Sequence, residues 1–143
     1  MDQRVSMIMT GAQDVARLRL FYEQGLGWTT WGPSSAMSVM YKVGHSVLVF
    51  LNDAYLAAER GQPVTSGGKT SLAIFVASKA EVDQGFDRAL AAGATSASGV
   101  RDRDGGLYSG YFTDPEGNSW ELVWSPHMPL DAEGALTLPS QAG

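Results

Sequence analysis

The chain has no cysteine among its 143 residues. That removes disulfides, thiolate zinc sites and cysteine nucleophiles together, and it is compatible with a reducing cytoplasm. Histidine is scarce, with two in all, His45 and His127. Basic residues are scattered, and 10 Lys and Arg against 15 Asp and Glu leave a net charge of −5. Nucleic-acid binding needs a basic patch that this pattern does not offer. No apolar run approaches the length of a membrane span. The first 20 residues lack a basic segment followed by an apolar one, which argues against a signal peptide. The expectation is a cytoplasmic protein with no membrane or nucleic-acid partner. A chain of this length makes one domain and can bury roughly 70% of its unfolded surface, so a core needs no staples.

Residues 112–124, Phe-Thr-Asp-Pro-Glu-Gly-Asn-Ser-Trp-Glu-Leu-Val-Trp, are the most informative stretch. Asp114-Pro115-Glu116-Gly117 has the residue choice of a tight turn: Asp at the first position, Pro115 pre-setting φ, Gly117 relieving strain. The flanks read as strands of a hairpin. Alternation in the second strand puts Trp120, Leu122 and Trp124 on one face, which suits a core. Glu121 then projects from the opposite face, either into solvent or into a cavity.

Elsewhere the pattern runs in two similar halves. In the first, a strand is expected over 4–10. A helix capped by Asp14 covers roughly 15–24 and ends at Gly25, strands follow near 28–32, 36–42 and 46–51, and a short helix covers 53–60. Gly61 to Gly68 is a polar, glycine-containing linker. In the second half, a strand over 71–76 precedes a helix over 79–92, with Ser78 and Glu81 as a capping box and Gly93 as its stop. Strands near 96–101, 107–113 and 118–124 complete it. The order strand-helix-strand-strand-strand occurs twice. The expected fold is α+β, with two βαβββ modules over about 4–60 and 69–125 and a Pro-containing C-terminal tail.

The run YFTDPEGNSWEL resembles the C-terminal hairpin of the vicinal oxygen chelate superfamily, which includes glyoxalases, extradiol dioxygenases, fosfomycin-modifying enzymes and bleomycin-binding resistance proteins. DVARLRLFYEQGLGW at 14–28 is similar to that superfamily's first helix and second strand. SLAIFVASKAEVDQGFDRALAAGA at 71–94 is similar to the start of its second half. The resemblance implies curved mixed sheets, helices on their convex sides and a ligand cavity on the concave side. It also implies that Glu121 stands where a metal ligand stands in relatives. The other ligand positions align with Met7, Ser71 and the apolar strand HSVLVFLN; the two histidines fall elsewhere. One carboxylate with a Ser and a Met is too few donors for a transition metal, so no metal cofactor is expected.

Alternation places Ser109, Tyr111 and Thr113 on the face of Glu121, and in fosfomycin-modifying relatives the equivalents of Ser109 and Tyr111 contact substrate. Met7, Met9, Ser71, Ala73 and Phe75 should share the concave side. Trp28, Trp31 and Tyr41 are candidate rim or wall residues. Arg101 could reach an anionic group, although it sits in a charged loop with Asp102, Arg103 and Asp104. Tyr22 reads as helix packing, and Trp120, Trp124 and Phe112 as core. An aromatic, Met-lined cavity with a few polar handles suits a small molecule.

Two functions remain open on this reading. One is a metal-free binding protein, a homodimer that sequesters an aromatic or polycyclic compound as the bleomycin-binding relatives do. The other is a glyoxalase-like lyase, isomerase or dioxygenase-related enzyme that uses Glu121 as acid/base or metal ligand. On either, Glu121 is functional or a relic held by neighbouring donors.

Overall fold

In a computed structural model, which describes residues 1, 3, 5–65, 68 and 70–137, the fold is α+β with two mixed sheets. The chain divides into two compact units, and the turn residues Pro115–Gly117 belong with the first. The linker positions 66, 67 and 69, and tail positions 138–143, lie outside the described residues, as does residue 4 of the expected first strand.

The first unit contains β1 (Met7–Ala12), α1 (Val15–Arg19), β2 (Ser38–Val43), β3 (Ser46–Asn52) and α2 (Asp53–Arg60). Its sheet has the order β1-β3-β2, with β1 parallel and β2 antiparallel to β3. Asp14 caps α1 by accepting the Arg17 N–H at 3.0 Å. The helix then loosens into a π-helical stretch, Leu20–Gly25, rather than continuing as one α-helix. The wider turn lets the consecutive residues Phe21 and Tyr22 both enter the core, where Tyr22 stacks on Phe50 at 5.0 Å. Val39, Tyr41 and Leu48 complete that core.

The strand expected over 28–32 does not form as a strand. It is a single bridge, Thr30 to Tyr41. Gly27 (φ 77°) and Gly32 (φ 75°) bracket it in the left-handed region, and Pro33 follows, so the ladder cannot extend in either direction.

The second unit contains β4 (Ser71–Phe75), α3 (Lys79–Ala91), β5 (Thr95–Asp102), β6 (Tyr108–Thr113) and β7 (Ser119–Trp124), in the order β4-β7-β6-β5. Ser78 caps α3 by accepting the Glu81 N–H at 3.2 Å. Glu81 reaches back to the Ala77 N–H at 2.8 Å rather than to that of Ser78. The hairpin turn is closed by Asp114, whose carboxylate accepts from the Asn118 backbone at 2.9 Å and side chain at 2.8 Å. Under α3 lie Phe112, Trp120 and Leu122, met by Val82, Phe86 and Ala89. Burying each large side chain contributes about 1.5–3 kcal/mol. Beyond β7 the tail makes a tight turn around Asp131, with a bridge from Leu130 to Leu136.

Candidate functional site

The helix-covered face of the second sheet is filled by the aromatic core, which leaves the opposite face for chemistry. Register decides who shares it. Ala73, Glu121 and Tyr111 are consecutive cross-strand partners on β4, β7 and β6, and Phe75, Val123 and Ser109 form the next row. In the row on the other side, the hydroxyls of Ser71 and Ser119 are hydrogen-bonded.

Glu121 is half-buried and hydrogen-bonded to the Tyr111 hydroxyl. Burial pushes the Tyr111 phenol above its ordinary pKa, and the hydrogen bond to Glu121 adds to this, so at neutral pH the phenol is a donor. The Arg103 guanidinium lies 5.1 Å from the Tyr111 ring centroid, a cation–π distance. It is held there by donating to the Ser109 carbonyl at 3.1 Å, the Ser98 hydroxyl at 3.0 Å and the Gly99 carbonyl at 3.2 Å. Ser109 is fully buried, and its Oγ has no hydrogen-bond partner. An unsatisfied buried hydroxyl of this kind costs about 1–3 kcal/mol.

The sequence singled out Arg101, but the arginine packed on the tyrosine is Arg103, two residues later, and Arg101 is exposed. The signal was present: the two arginines share a parity, and Gly105 (φ 77°) with Gly106 (φ 76°) turns the chain back so that the Arg103 N–H reaches the Leu107 carbonyl at 2.7 Å. Reading the stretch as a solvated charged loop missed it.

The remaining expected site residues lie in the first unit. Met7 and Met9 pair with Val47 and Val49 on the open face of the first sheet and are 45% and 57% exposed. Tyr41 is on the other face, buried beneath the helix, with Tyr22 at 5.6 Å and Trp28 at 5.6 Å. The body of Tyr41 is core, because Leu48, its partner on β3, faces the helix. Its hydroxyl donates to Glu23 at 3.3 Å, while Arg19 donates to the same carboxylate at 2.7 and 3.2 Å. Tyr41 still borders, with Trp28 and Trp31, a cleft of about 480 Å³. Trp31 is half exposed. Five of the expected residues thus share the face of the second sheet opposite α3, Glu121, Tyr111, Ser109, Ser71 and Phe75, with Ser109 buried there, and Met7 and Met9 share one face of the first.

The family model for the glyoxalase-like domain matches residues 7–123. The chain belongs to that family. Its wider group is the vicinal oxygen chelate superfamily. A glyoxalase-related enzyme from Fulvimarina pelagi is 28% identical with a TM-score of 0.90, over 97% of this chain and 100% of that one. A glyoxalase/bleomycin resistance protein/dioxygenase family enzyme from Burkholderia phytofirmans PsJN is 26% identical with a TM-score of 0.74, over 85% of this chain and 98% of that one. TioX from Micromonospora sp. ML1, 21% identical with a TM-score of 0.60 over 85% of this chain and 98% of that one, shares the fold. No curated protein matches the chain.

The family's metal centre provides a test of the donor set. The resemblance implies Met7, Ser71, Glu121 and a residue of the apolar strand HSVLVFLN at the ligand positions. Among the described residues, no group of three His, Cys, Asp or Glu side chains is close enough to hold an ion. Nor is any helix of the described residues long and apolar enough to cross a membrane.

Proposed function

We propose that this chain is a small-molecule-binding protein of the glyoxalase-like family that works without a transition metal and sequesters an aromatic or polycyclic compound against the open face of its second sheet. The observation that carries this reading is the assembly of Tyr111, Glu121 and Arg103: a phenol donor, a carboxyl and a cation gathered on one aromatic patch with Phe75. Transition metals want three or four N, O or S donors, and Met7, Ser71 and Glu121 do not supply them. The polar groups instead suit orientation of an organic ligand, with the aromatic rings supplying area. The functional unit on this reading is a cytoplasmic homodimer. Support comes from the apolar surface that Met7 and Met9 leave exposed and from the prevalence of two-fold assemblies.

A second reading is favoured by one observation: Glu121 and Tyr111 are a hydrogen-bonded pair of titratable groups, as an acid/base enzyme requires. The similarity to a glyoxalase-related enzyme points the same way. On that reading the chain is a lyase, isomerase or dioxygenase-related enzyme.

A thermal-shift screen of planar polycyclic compounds, repeated on Glu121→Gln, tests the proposal. Binders of the parent should lose affinity in the variant while the melting temperature without ligand stays near that of the parent. Unchanged affinity for every binder would make Glu121 a relic. Stoichiometric Zn, Ni, Mn or Fe retained through dialysis would refute the metal-free reading, and light scattering from a single-chain particle would refute the dimer.

A further inference from the structure

Tyr111 stands where the second sheet is irregular. On one side it pairs with Glu121 in an unbroken β6–β7 ladder. On the other its partner is Ser98, and the β5–β6 register shifts on both sides of that pair, between Ser96 and Ser98 and between Ser98 and Arg101. Gly99 and Val100 therefore stand opposite Gly110 alone, a two-against-one bulge. A bulge leaves backbone groups outside the ladder, and those that are not wet need another partner.

One guanidinium serves both strands at this point. Arg103 Nη2 donates to the Ser98 hydroxyl and the Gly99 carbonyl on β5, and Nε donates to the Ser109 carbonyl on β6. The three bonds tie the bulge to its neighbour strand and fix the guanidinium in place. So fixed, it lies 5.1 Å from the centroid of the Tyr111 ring. Ser98, the partner of Tyr111 on β5, is too small to back an aromatic ring, and Arg103 backs it instead. The phenol oxygen, at the far end of that ring, meets Glu121. A tyrosine ring can otherwise swing between rotamers and turn about χ2, which is broad. Lysine lacks the means to hold it this way, because its ammonium is a point charge on a flexible stem, whereas the arginine fork donates in fixed directions.

We propose that Arg103 is a positioning residue for the Tyr111–Glu121 pair: it bridges the β5 bulge to β6 and holds the Tyr111 ring so that the hydroxyl stays on Glu121. This role rests on the reading that the pair is the working part of the binding face. It is a task beyond supplying charge. A pair held in place meets its ligand without losing side-chain freedom at that moment, which is the gain of pre-organisation.

Carbon-13 NMR of the full chain without ligand, at neutral pH and with tyrosine labelled at Cζ, tests the role. The chain has five tyrosines, and the Tyr111 signal is the one that Tyr111→Phe removes. In the parent, Glu121→Gln should move that signal, because the phenol loses a charged acceptor. In Arg103→Lys, which keeps the charge but not the fork, the same substitution should move it at most about half as far. Ser98→Ala removes one acceptor of Arg103 and no charge, and should give a shift between the two. If Arg103→Lys fails to fold by its thermal melt, the Ser98→Ala comparison decides alone. A merely structural arginine would lower the melting temperature in Arg103→Lys and leave the full Glu121→Gln shift, and that result overturns the proposal. So does a Tyr111 signal that Glu121→Gln does not move in the parent. No ligand enters this measurement. A failed screen for polycyclic binders would therefore refute the proposed function alone, and an undiminished shift in Arg103→Lys would refute the positioning role alone.

Discussion

Gly110 stands on β6 between Ser109 and Tyr111, so the packing beneath it sets the position of both. A methyl group built there would lie 2.7 and 2.8 Å from Phe86 Cε2 and Cδ2 and 2.8 Å from Val100 Cγ2. Its φ is outside the left-handed region, so alanine is sterically excluded by neighbours and not by its own backbone. Overpacking of this kind costs about 1–3 kcal/mol, and the stiffer unfolded chain returns about 0.4–1, so Gly110→Ala should lose about 1–2 kcal/mol. For a chain of this size that is a fall in melting temperature of roughly 2–8 °C. Gly85→Ala is the internal control. Its methyl would meet Leu122 Cδ2 at 2.5 Å, but the next atom is 3.7 Å away, and Cδ2 is the free end of a flexible side chain. Helix propensity favours alanine there by about 1 kcal/mol, so the net change should lie near zero. Phe86→Ala removes two of the three close approaches at Gly110. It costs about 3–5 kcal/mol alone, yet in its background Gly110→Ala should lose about 1 kcal/mol less than in the parent. Urea denaturation followed by circular dichroism, at one protein concentration, measures all four variants. The reasoning is refuted if Gly110→Ala is as stable as the parent, or if the two substitutions add without coupling.

Tyr41→Phe should flatten the alkaline limb of stability. The Tyr41 phenol is pushed far above its ordinary pKa, by burial first and by the Glu23 charge second, so the folded state holds its proton more tightly. That stability is fully present below pH ~10 and declines as pH rises further, so unfolding midpoints across pH 9–11 should fall less in the variant than in the parent. Equal slopes would contradict the assignment. Arg103→Ala should cost about 1–3 kcal/mol, because the part-buried bonds to the Ser109 carbonyl and the Ser98 hydroxyl lose their donor, and Arg103→Lys should recover little of it. Thermal melts check both, and full recovery by lysine would show that charge alone matters. Trp120→Ala, a truncation beneath α3, should cost about 3–5 kcal/mol in the same assay.

Local signals carried far in this chain because its interactions are mostly close in sequence or periodic. Asp14, Ser78 and Asp114 each name their own cap or turn, and the structure forms the bonds those residues ask for. The two-residue period alone put Trp120 under a helix and Glu121 opposite it, since no strand can face both ways without a bulge. Other features are properties of distant pairs. Arg103 became the partner of Tyr111 only because a glycine turn and the β5–β6 pairing bring Ser98, Gly99 and Ser109 around one guanidinium. The segment 28–32 has strand-like composition but is limited to one bridge by the two left-handed glycines and Pro33 around it. Tyr41 reads as a rim or wall residue, and only Leu48 and Tyr22 show that its face of β2 is the one the helix covers. Periodicity determines which residues share a face. Which face is buried, and what crosses it, depends on contacts between elements far apart in the chain, and only the tertiary structure decides those.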